Sequence, residues 1–362
     1  MNCKKGVFIH PCIRSYRVGL FNELFKLVDL DIIESGYPSS GPFVESDREQ
    51  SLLRMLKKPL AQTQKKILSV DTSIFYSLRK EYDYIVFSSF ISLPFLLLII
   101  PSKLLGKKII VFDEIWEYPT TKKYFIAKPF FKKLVNLFVD GFVLSGSKAF
   151  DFNKSFFKKS IKRTIAFNTN SIYETPLEDN IREKKILYLG RIVEIKALDS
   201  LISVLPEVDY TLVVVGSADE KYLEYCKNLA CKLNVADRVE FLGPCERLAT
   251  YKYYSKYEIF CLPSKFMPNQ SQQLESWGFT VNEALEMGCK VIASNKVGAS
   301  FDLIENGVNG YIFDVNDEND LTNKIKLIDK ITTTPKEIRQ RLKNKCNYQE
   351  NAKCISDLIK QI

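Results

Sequence analysis

A chain of 362 residues is long enough for two domains, each with its own core, and its 46% hydrophobic and 26% charged residues suit an ordinary folded protein rather than a disordered, collagen-like or coiled-coil one. Nine cysteines without a C-x-x-C pair and a single histidine, His10, supply no zinc framework and read as reduced, mostly buried thiols of a cytosolic protein. The net charge of +9 is lopsided: residues 1–175 hold 27 Lys and Arg against 16 Asp and Glu, the remainder 25 against 27.

In chain order, the opening apolar run 6–9 is too short for the core of a signal peptide. The apolar run 93–100 contains Pro94, ends at Pro101, and falls short of the roughly 20 residues that cross a bilayer. Short apolar runs predict strands over 7–9, 30–34, 84–88, 108–112 and 141–144, with helical spacing over 20–28, 93–105, 124–138 and 148–157. This alternation implies a parallel sheet covered by helices. Residues 166–184 are polar and turn-rich and read as a linker between a first domain, 1–165, and a second, 185–340. There the predicted strands are 185–189, 210–215, 238–242, 259–262, 290–293 and 310–313, and the helices 197–205, 220–233, 279–287 and 318–331. Helical spacing also covers 335–361, and a C-terminal helix, 341–362, could pack back on the first domain.

The basic excess of the first half peaks at Lys122, Lys123, Lys128, Lys132, Lys133, Lys154, Lys158, Lys159, Lys162 and Arg163, interleaved with Phe125, Phe130, Phe131, Phe156 and Phe157. Such a surface suits an anionic membrane face, where each cation contributes about 1 kcal/mol; the alternative is a solvated lysine-rich face. No nucleic-acid role is expected. Asp29-Leu30-Asp31 mimics a D-x-D metal motif but opens a strand in a βαβ pattern, and no metal is inferred from it.

The stretch Glu275-Ser276-Trp277-Gly278-Phe279-Thr280-Val281-Asn282-Glu283 carries the most chemistry. Gly278 permits close backbone approach, and a helix starting near Phe279 presents free amide N–H groups to a ligand. Glu275 precedes that helix and Glu283 lies one turn inside it. Upstream, Gly190-Arg191 follows a strand and Lys196 follows five residues later. Two fixed cations at a strand mouth can neutralise negative charge on a bound group, Arg as a fork and Lys as a point charge.

Together these segments resemble the E-x7-E and G-R-x4-K signatures of retaining nucleotide-sugar glycosyltransferases of glycosyltransferase family four. The resemblance implies the GT-B fold, an α/β architecture of two facing Rossmann-like doubly wound domains with an interdomain cleft. It implies Arg191, Lys196 and Glu275 as catalytic residues, with Glu283 on the ribose. The donor would also meet Gly190, Gly216 and Ser217 after a strand, Leu242 beside the base, and Gly278, Phe279, Thr280 and Val281 at the helix start. The loop after the first strand resembles a family subset reading Y-R-x-x-x-F-N-x-L but lacks the double-glycine loop of many members; Arg14, Tyr16 and Arg17 are its acceptor-side candidates, and the loop could touch the donor phosphate or only the acceptor. His10 could be a catalyst or a strand-end residue. The family's acceptor-side histidine is missing, so Asp113, Glu114 or Glu117 could face the acceptor hydroxyl, or merely cap a turn.

The expected activity is metal-independent, retaining transfer of a sugar from a nucleotide sugar, with no cofactor, to a glycan or lipid-linked saccharide in surface-polysaccharide assembly. The expected location is cytoplasmic, peripheral on the inner face of the plasma membrane. The alternatives are a GT-B phosphorylase or sugar-phosphate synthase, and a non-catalytic GT-B glycan-binding scaffold.

Overall fold

The computed structural model describes residues 4–11, 13, 17–36, 66–67, 70–169, 177, 181–246, 249–270 and 273–362. Its chain forms two compact units, one of Met1–Tyr118, Lys122–Thr169 and Cys346–Ile362, the other of Pro119–Thr121 and Asn170–Lys345.

The first unit runs β1 (Lys5–His10), α1 (Val18–Leu24), β2 (Asp29–Glu34), a small antiparallel hairpin of β3 (Lys66–Ile67) and β4 (Val70–Asp71), β5 (Tyr84–Phe87), α2 (Leu93–Leu104), β6 (Lys108–Asp113), α3 (Lys122–Phe138), β7 (Gly141–Leu144), α4 (Ser147–Phe156) and β8 (Lys162–Ile165). Its main sheet is parallel, in the order β2-β1-β5-β6-β7-β8. Side chains of a strand alternate between faces, and the core follows suit. Val7, Ile9, Ile85, Phe87, Ile109 and Val111 pack on one face with α2 to α4. Phe8, Ile32, Val86, Ile110, Phe112 and Val143 pack on the other with α1.

The second unit holds β9 (Glu183–Leu189), α5 (Leu198–Ser203), β10 (Leu212–Val215), α6 (Glu220–Lys232), β11 (Val239–Gly243), α7 (Thr250–Lys256), β12 (Tyr257–Leu262), α8 (Phe279–Glu286), β13 (Lys290–Ser294), α9 (Gly298–Leu303), β14 (Gly310–Phe313), α10 (Asp320–Leu327) and α11 (Pro335–Lys345). Its parallel sheet has the order β11-β10-β9-β12-β13-β14. This is the dinucleotide-binding order, which reverses direction between its first and fourth strands, here β9 and β12. The chain leaves both strands toward opposite sides, opening a crevice beyond their carboxyl ends.

Two expectations change. The helical pattern of 318–331 ends at Leu327 and closes with a 3-10 turn, Ile328–Lys330. The pattern of 335–361 is two helices, α11 and α12 (Tyr348–Gln361). Asn347 makes the break: its backbone is extended and its side chain accepts from Glu350 N at 2.8 Å, an N-cap. Beyond it α12 joins the first unit, where Ala352, Ile355, Leu358 and Ile359 complete the second face of that sheet. Its Tyr348 ring lies where a Cβ on Gly19 of α1 would stand, 2.3 Å away, so glycine sets that helix contact. Of the expected linker, residues 170–176 and 178–180 lie outside the described residues. No helix among the described residues is long and apolar enough to cross a membrane.

Candidate active site

The second unit concentrates the sequence motifs at its strand reversal. After β9 the ladder outlasts the strands: Gly190 N donates to Val215 O at 3.0 Å, Gly216 N to Gly243 O at 2.9 Å, and Ile192 N to Ser217 O at 2.8 Å. A Cβ on Gly216 would stand 1.8 Å from Gly190 O, so a glycine is required for the two loops to touch. Tyr188 Oη, held in the core, donates to Arg191 O at 2.7 Å and fixes the turn. Arg191 itself is exposed, and Ser217 with it.

The turn continues into Glu194–Lys196 and then Ala197, a buried residue with φ of 51° that redirects the chain into α5. Lys265 N, from the segment after β12, donates to Ile195 O at 2.9 Å and draws that segment against the turn. There Lys196 Nζ donates to Glu275 Oε2, and both side chains are almost withdrawn from solvent, 11% and 14% exposed. Glu275 is held by its backbone: its N donates to Lys296 O and its O accepts from Gly298 N.

Gly278 has φ of 100°, and a Cβ there would meet Val297 Cγ1 at 2.7 Å. Only glycine turns the chain there from Glu275 into α8. Trp277 Nε1 donates to Asn282 Oδ1 at 2.8 Å and braces the helix start. In the first turn the Thr280 hydroxyl is buried without a hydrogen-bond partner. Val281 is wholly buried, so a ligand would meet its backbone rather than its side chain. Glu283 is buried one turn on and accepts from Tyr254 Oη at 3.1 Å. Leu242, on β11, is half-exposed. A cavity of about 810 Å³ lies beside the turn, lined on this side by Arg191, Val193, Glu194, Ile195, Lys265 and Gln270.

Two residues outside the motifs shape this site. Tyr254 reaches Glu283, and Arg182 binds Tyr254 O at 3.2 Å and Met287 O at 2.5 Å, tying the start of β9 to α7 and the end of α8. Neither stands in a motif; an arginine just before a strand is their only sequence signal.

The acceptor-side candidates belong to the first unit. Arg14 and Tyr16 lie outside the described residues. Arg17 is buried, donates to Glu114 at 2.5 Å and Asn168 at 3.2 Å, and lies over the Phe112 ring. Arg17 and Glu114 thus hold the ends of α1, β6 and β8 together. Asp113, at the end of β6, is buried with its Oδ2 unpartnered, and burial, then the nearby Glu114 charge, pushes its carboxyl up to about 8. The Asp31 carboxylate is engaged by Lys5 at 3.0 Å and Tyr82 Oη at 2.8 Å. Among the described residues no group of three or more His, Cys, Asp and Glu is placed to hold a metal ion.

The sequence profile described as glycosyl transferases group 1 matches residues 174–345. The matched segment is just under half of the chain. An uncharacterized glycosyltransferase of Haemophilus influenzae is 28% identical over 173 residues, 46% of this chain and 45% of that protein. A GDP-mannose-dependent alpha-(1-6)-phosphatidylinositol monomannoside mannosyltransferase of Mycobacterium tuberculosis is 28% identical over 134 residues, 36% of this chain and 34% of that one. The chain thus spans less than half the length of these curated relatives. Among solved structures, Anabaena Alr3699/HepE in complex with UDP aligns with a TM-score of 0.74 at 15% identity, over 99% of this chain and 100% of that one. The lipopolysaccharide outer core galactosyltransferase WaaB, apo form, aligns with a TM-score of 0.71 at 16% identity, over 99% of both chains. At such identities the likeness establishes the fold, the two-domain α/β GT-B fold of glycosyltransferases.

In the group 1 segment the Lys196–Glu275 contact has an energetic consequence. Removing one partner leaves the other charge poorly hydrated, which costs on the order of 3 kcal/mol. Urea unfolding should show Lys196→Met and Glu275→Leu each destabilised by about that much, and the double variant recovering most of it. Additive losses would mean that the two charges do not stabilise each other.

Asp113 gives a pH dependence with a defined sign. Its folded carboxyl titrates near 8, above the ordinary 3.8. Between those values the folded state holds a proton that the unfolded state has released, so stability falls as pH rises through this window and levels off above it. Asp113→Asn should therefore gain stability relative to the parent between pH 5 and 8, read as the difference in urea midpoints. A constant difference would place the carboxyl's titration elsewhere.

Proposed function

We propose that the chain is a glycosyltransferase that moves a sugar from a nucleoside-diphosphate sugar to a hydroxyl of a glycan or lipid-linked saccharide, with retention at the anomeric carbon. The observation that carries this reading is the Lys196–Glu275 contact beside the start of α8, with Glu283 eight residues on, in a segment matching the group 1 family. That UDP occupies the related fold of Alr3699/HepE supports a nucleotide donor.

The chemistry follows from the groups present. Cleavage of the sugar–phosphate bond leaves the electron pair on the diphosphate, and Lys196 and Arg191 supply positive charge at the mouth of β9 for it. With Lys196 drawn toward the phosphate, Glu275 can accept from a sugar hydroxyl. The amides of Phe279 and Thr280 and the Thr280 hydroxyl offer donors at the positive end of α8, and Glu283 offers a carboxylate to the ribose hydroxyls. With two cations serving the leaving group, the reaction needs no divalent metal. Protonated at neutral pH, Asp113 suits hydrogen bonding to the acceptor better than abstracting its proton. Assembly of surface polysaccharide is the setting that such an acceptor suggests.

Purified protein should be thermally stabilised by a nucleotide sugar and should release nucleoside diphosphate from it in EDTA. Lys196→Ala and Arg191→Ala should each lower turnover by about a hundredfold or more, and Glu283→Gln should weaken nucleotide binding. Turnover that requires Mn²⁺ or Mg²⁺, or near-parental activity in both alanine variants, would contradict the mechanism.

The acceptor would reach the protein at a membrane. The face narrows relative to the sequence pattern: Phe131 and Phe157 are buried, and Lys128 and Lys132 lie over the Phe156 ring at 5.2 and 4.8 Å. The large apolar side chains that α3 leaves in solvent are Phe125, Ile126, Phe130 and, toward its end, Leu137, with Lys122, Lys123 and Lys133 beside the first three. Lysines at lipid phosphates and aromatic rings at the interface form an anionic-membrane docking face. Co-sedimentation should require anionic vesicles, fall with salt, and drop when Phe125 and Phe130 become Ser. Equal binding to neutral vesicles, or none to anionic ones at low salt, would leave a solvated face.

A further inference from the structure

The cavity of about 810 Å³ beside the Arg191–Lys196 turn has a second wall that the donor chemistry does not use. That wall is the first two turns of α6, which face the cavity with Tyr222 and Tyr225. Their rings stack, with centroids 6.1 Å apart and planes 25° apart, and Tyr225 remains 53% exposed. Tyr222 is fixed from below: its hydroxyl donates to Asp199 Oδ1 at 2.6 Å, and its backbone N donates to the Asp219 carboxylate at 3.0 Å. Asp199 also faces Lys265 Nζ at 3.7 Å, which ties this wall to the segment after β12. Neither Glu275 nor Glu283 lines the cavity.

We propose that this cavity is a subsite for a neutral saccharide unit other than the donor sugar, held against the Tyr225 ring as part of the acceptor or product chain. Three observations select that ligand. The volume falls in the roughly 300–1,000 Å³ range of small-molecule sites. The charged lining is balanced: the cations of Arg191, Lys221 and Lys265 oppose the carboxylates of Glu194, Asp199 and Asp219, which disfavours a polyanion and offers both donors and acceptors to hydroxyls. The stacked tyrosines provide a flat, braced surface whose electron-rich face attracts the weakly positive C–H face of a pyranose ring. A phosphate alone would find no use for the rings, whereas a nucleobase could stack on them, and competition with UDP separates the two ligands. The inference takes its ligand class from the saccharide-transfer reading, and binding is measured without turnover so that the two can fail separately.

Saturation-transfer NMR on the full chain with neutral trisaccharides (maltotriose, cellotriose and mannotriose) reads the subsite directly. At least one should show transfer to its ring protons, and saturating UDP should not displace it. Tyr225→Ala should weaken the binding about two- to tenfold, whereas Tyr225→Phe should retain it. Tyr225 is half-exposed, so the alanine variant should melt like the parent; should it not, Lys221→Ala should weaken the same signal. No transfer with any trisaccharide, unchanged affinity in Tyr225→Ala and Lys221→Ala, or displacement by UDP would overturn the proposal. Stabilisation by UDP, followed in the same samples, reports on the donor site independently.

Discussion

Lys196 and Glu275 stand 79 positions apart in the chain, and each loses solvation as its side chain enters the second unit. Either charge alone would be costly there, while together they satisfy each other. Their meeting requires the Glu194–Lys196 turn, the left-handed Ala197, the Lys265 to Ile195 backbone bond and the positive φ of Gly278. Each of these lies where the sheet order reverses between β9 and β12. The reversal makes the crevice, and the ion pair keeps polar side chains poised in it without a ligand. On the proposed function, an incoming diphosphate would take Lys196 and free the Glu275 carboxylate for hydroxyls.

The two units use the same sheet logic for different ends. In the first, the strand-end charges are spent on cohesion, since Arg17 is engaged by Glu114, Asn168 and the Phe112 ring. Asp113 is the exception, a buried carboxyl raised to about 8 at the end of β6 with one oxygen unpartnered. In the second unit the strand ends carry Arg191, Lys196 and Glu275 on irregular backbone, and cohesion falls to residues behind them such as Arg182 and Tyr188.

The sheets were legible in the sequence because parallel strands buried on both faces read as unbroken apolar runs such as Ile186-Leu187-Tyr188-Leu189 and Leu212-Val213-Val214-Val215. The two-domain GT-B class is what the resemblance of the Glu275–Glu283 and Arg191–Lys196 segments to the family signatures implies. What escaped depends on contacts remote in sequence. The break at Asn347 looks like continuous helix until α12 finds its place on the first sheet. The basic and aromatic residues of α3 and α4 look alike in sequence, yet packing buries Phe131 and Phe157 and sets Lys128 and Lys132 over Phe156. For the candidate site, the spacing placed Glu275 and Lys196 at loop ends but could not show that they touch, nor that Tyr254 reaches Glu283. Tyr222 and Tyr225 of α6 stand in no motif, and only the fold sets them beside the Arg191 turn.

On the proposed function the strand reversal of the second unit receives a nucleoside diphosphate through Lys196, with Glu283 on the ribose. A crystal structure of the chain with UDP tests it most directly. A terminal phosphate oxygen should lie within hydrogen-bond distance of Lys196 Nζ, the ribose hydroxyls on the Glu283 carboxylate, and Glu275 released from Lys196. UDP bound elsewhere, or bound here with the Lys196–Glu275 contact intact and no phosphate contact from Lys196, would contradict it.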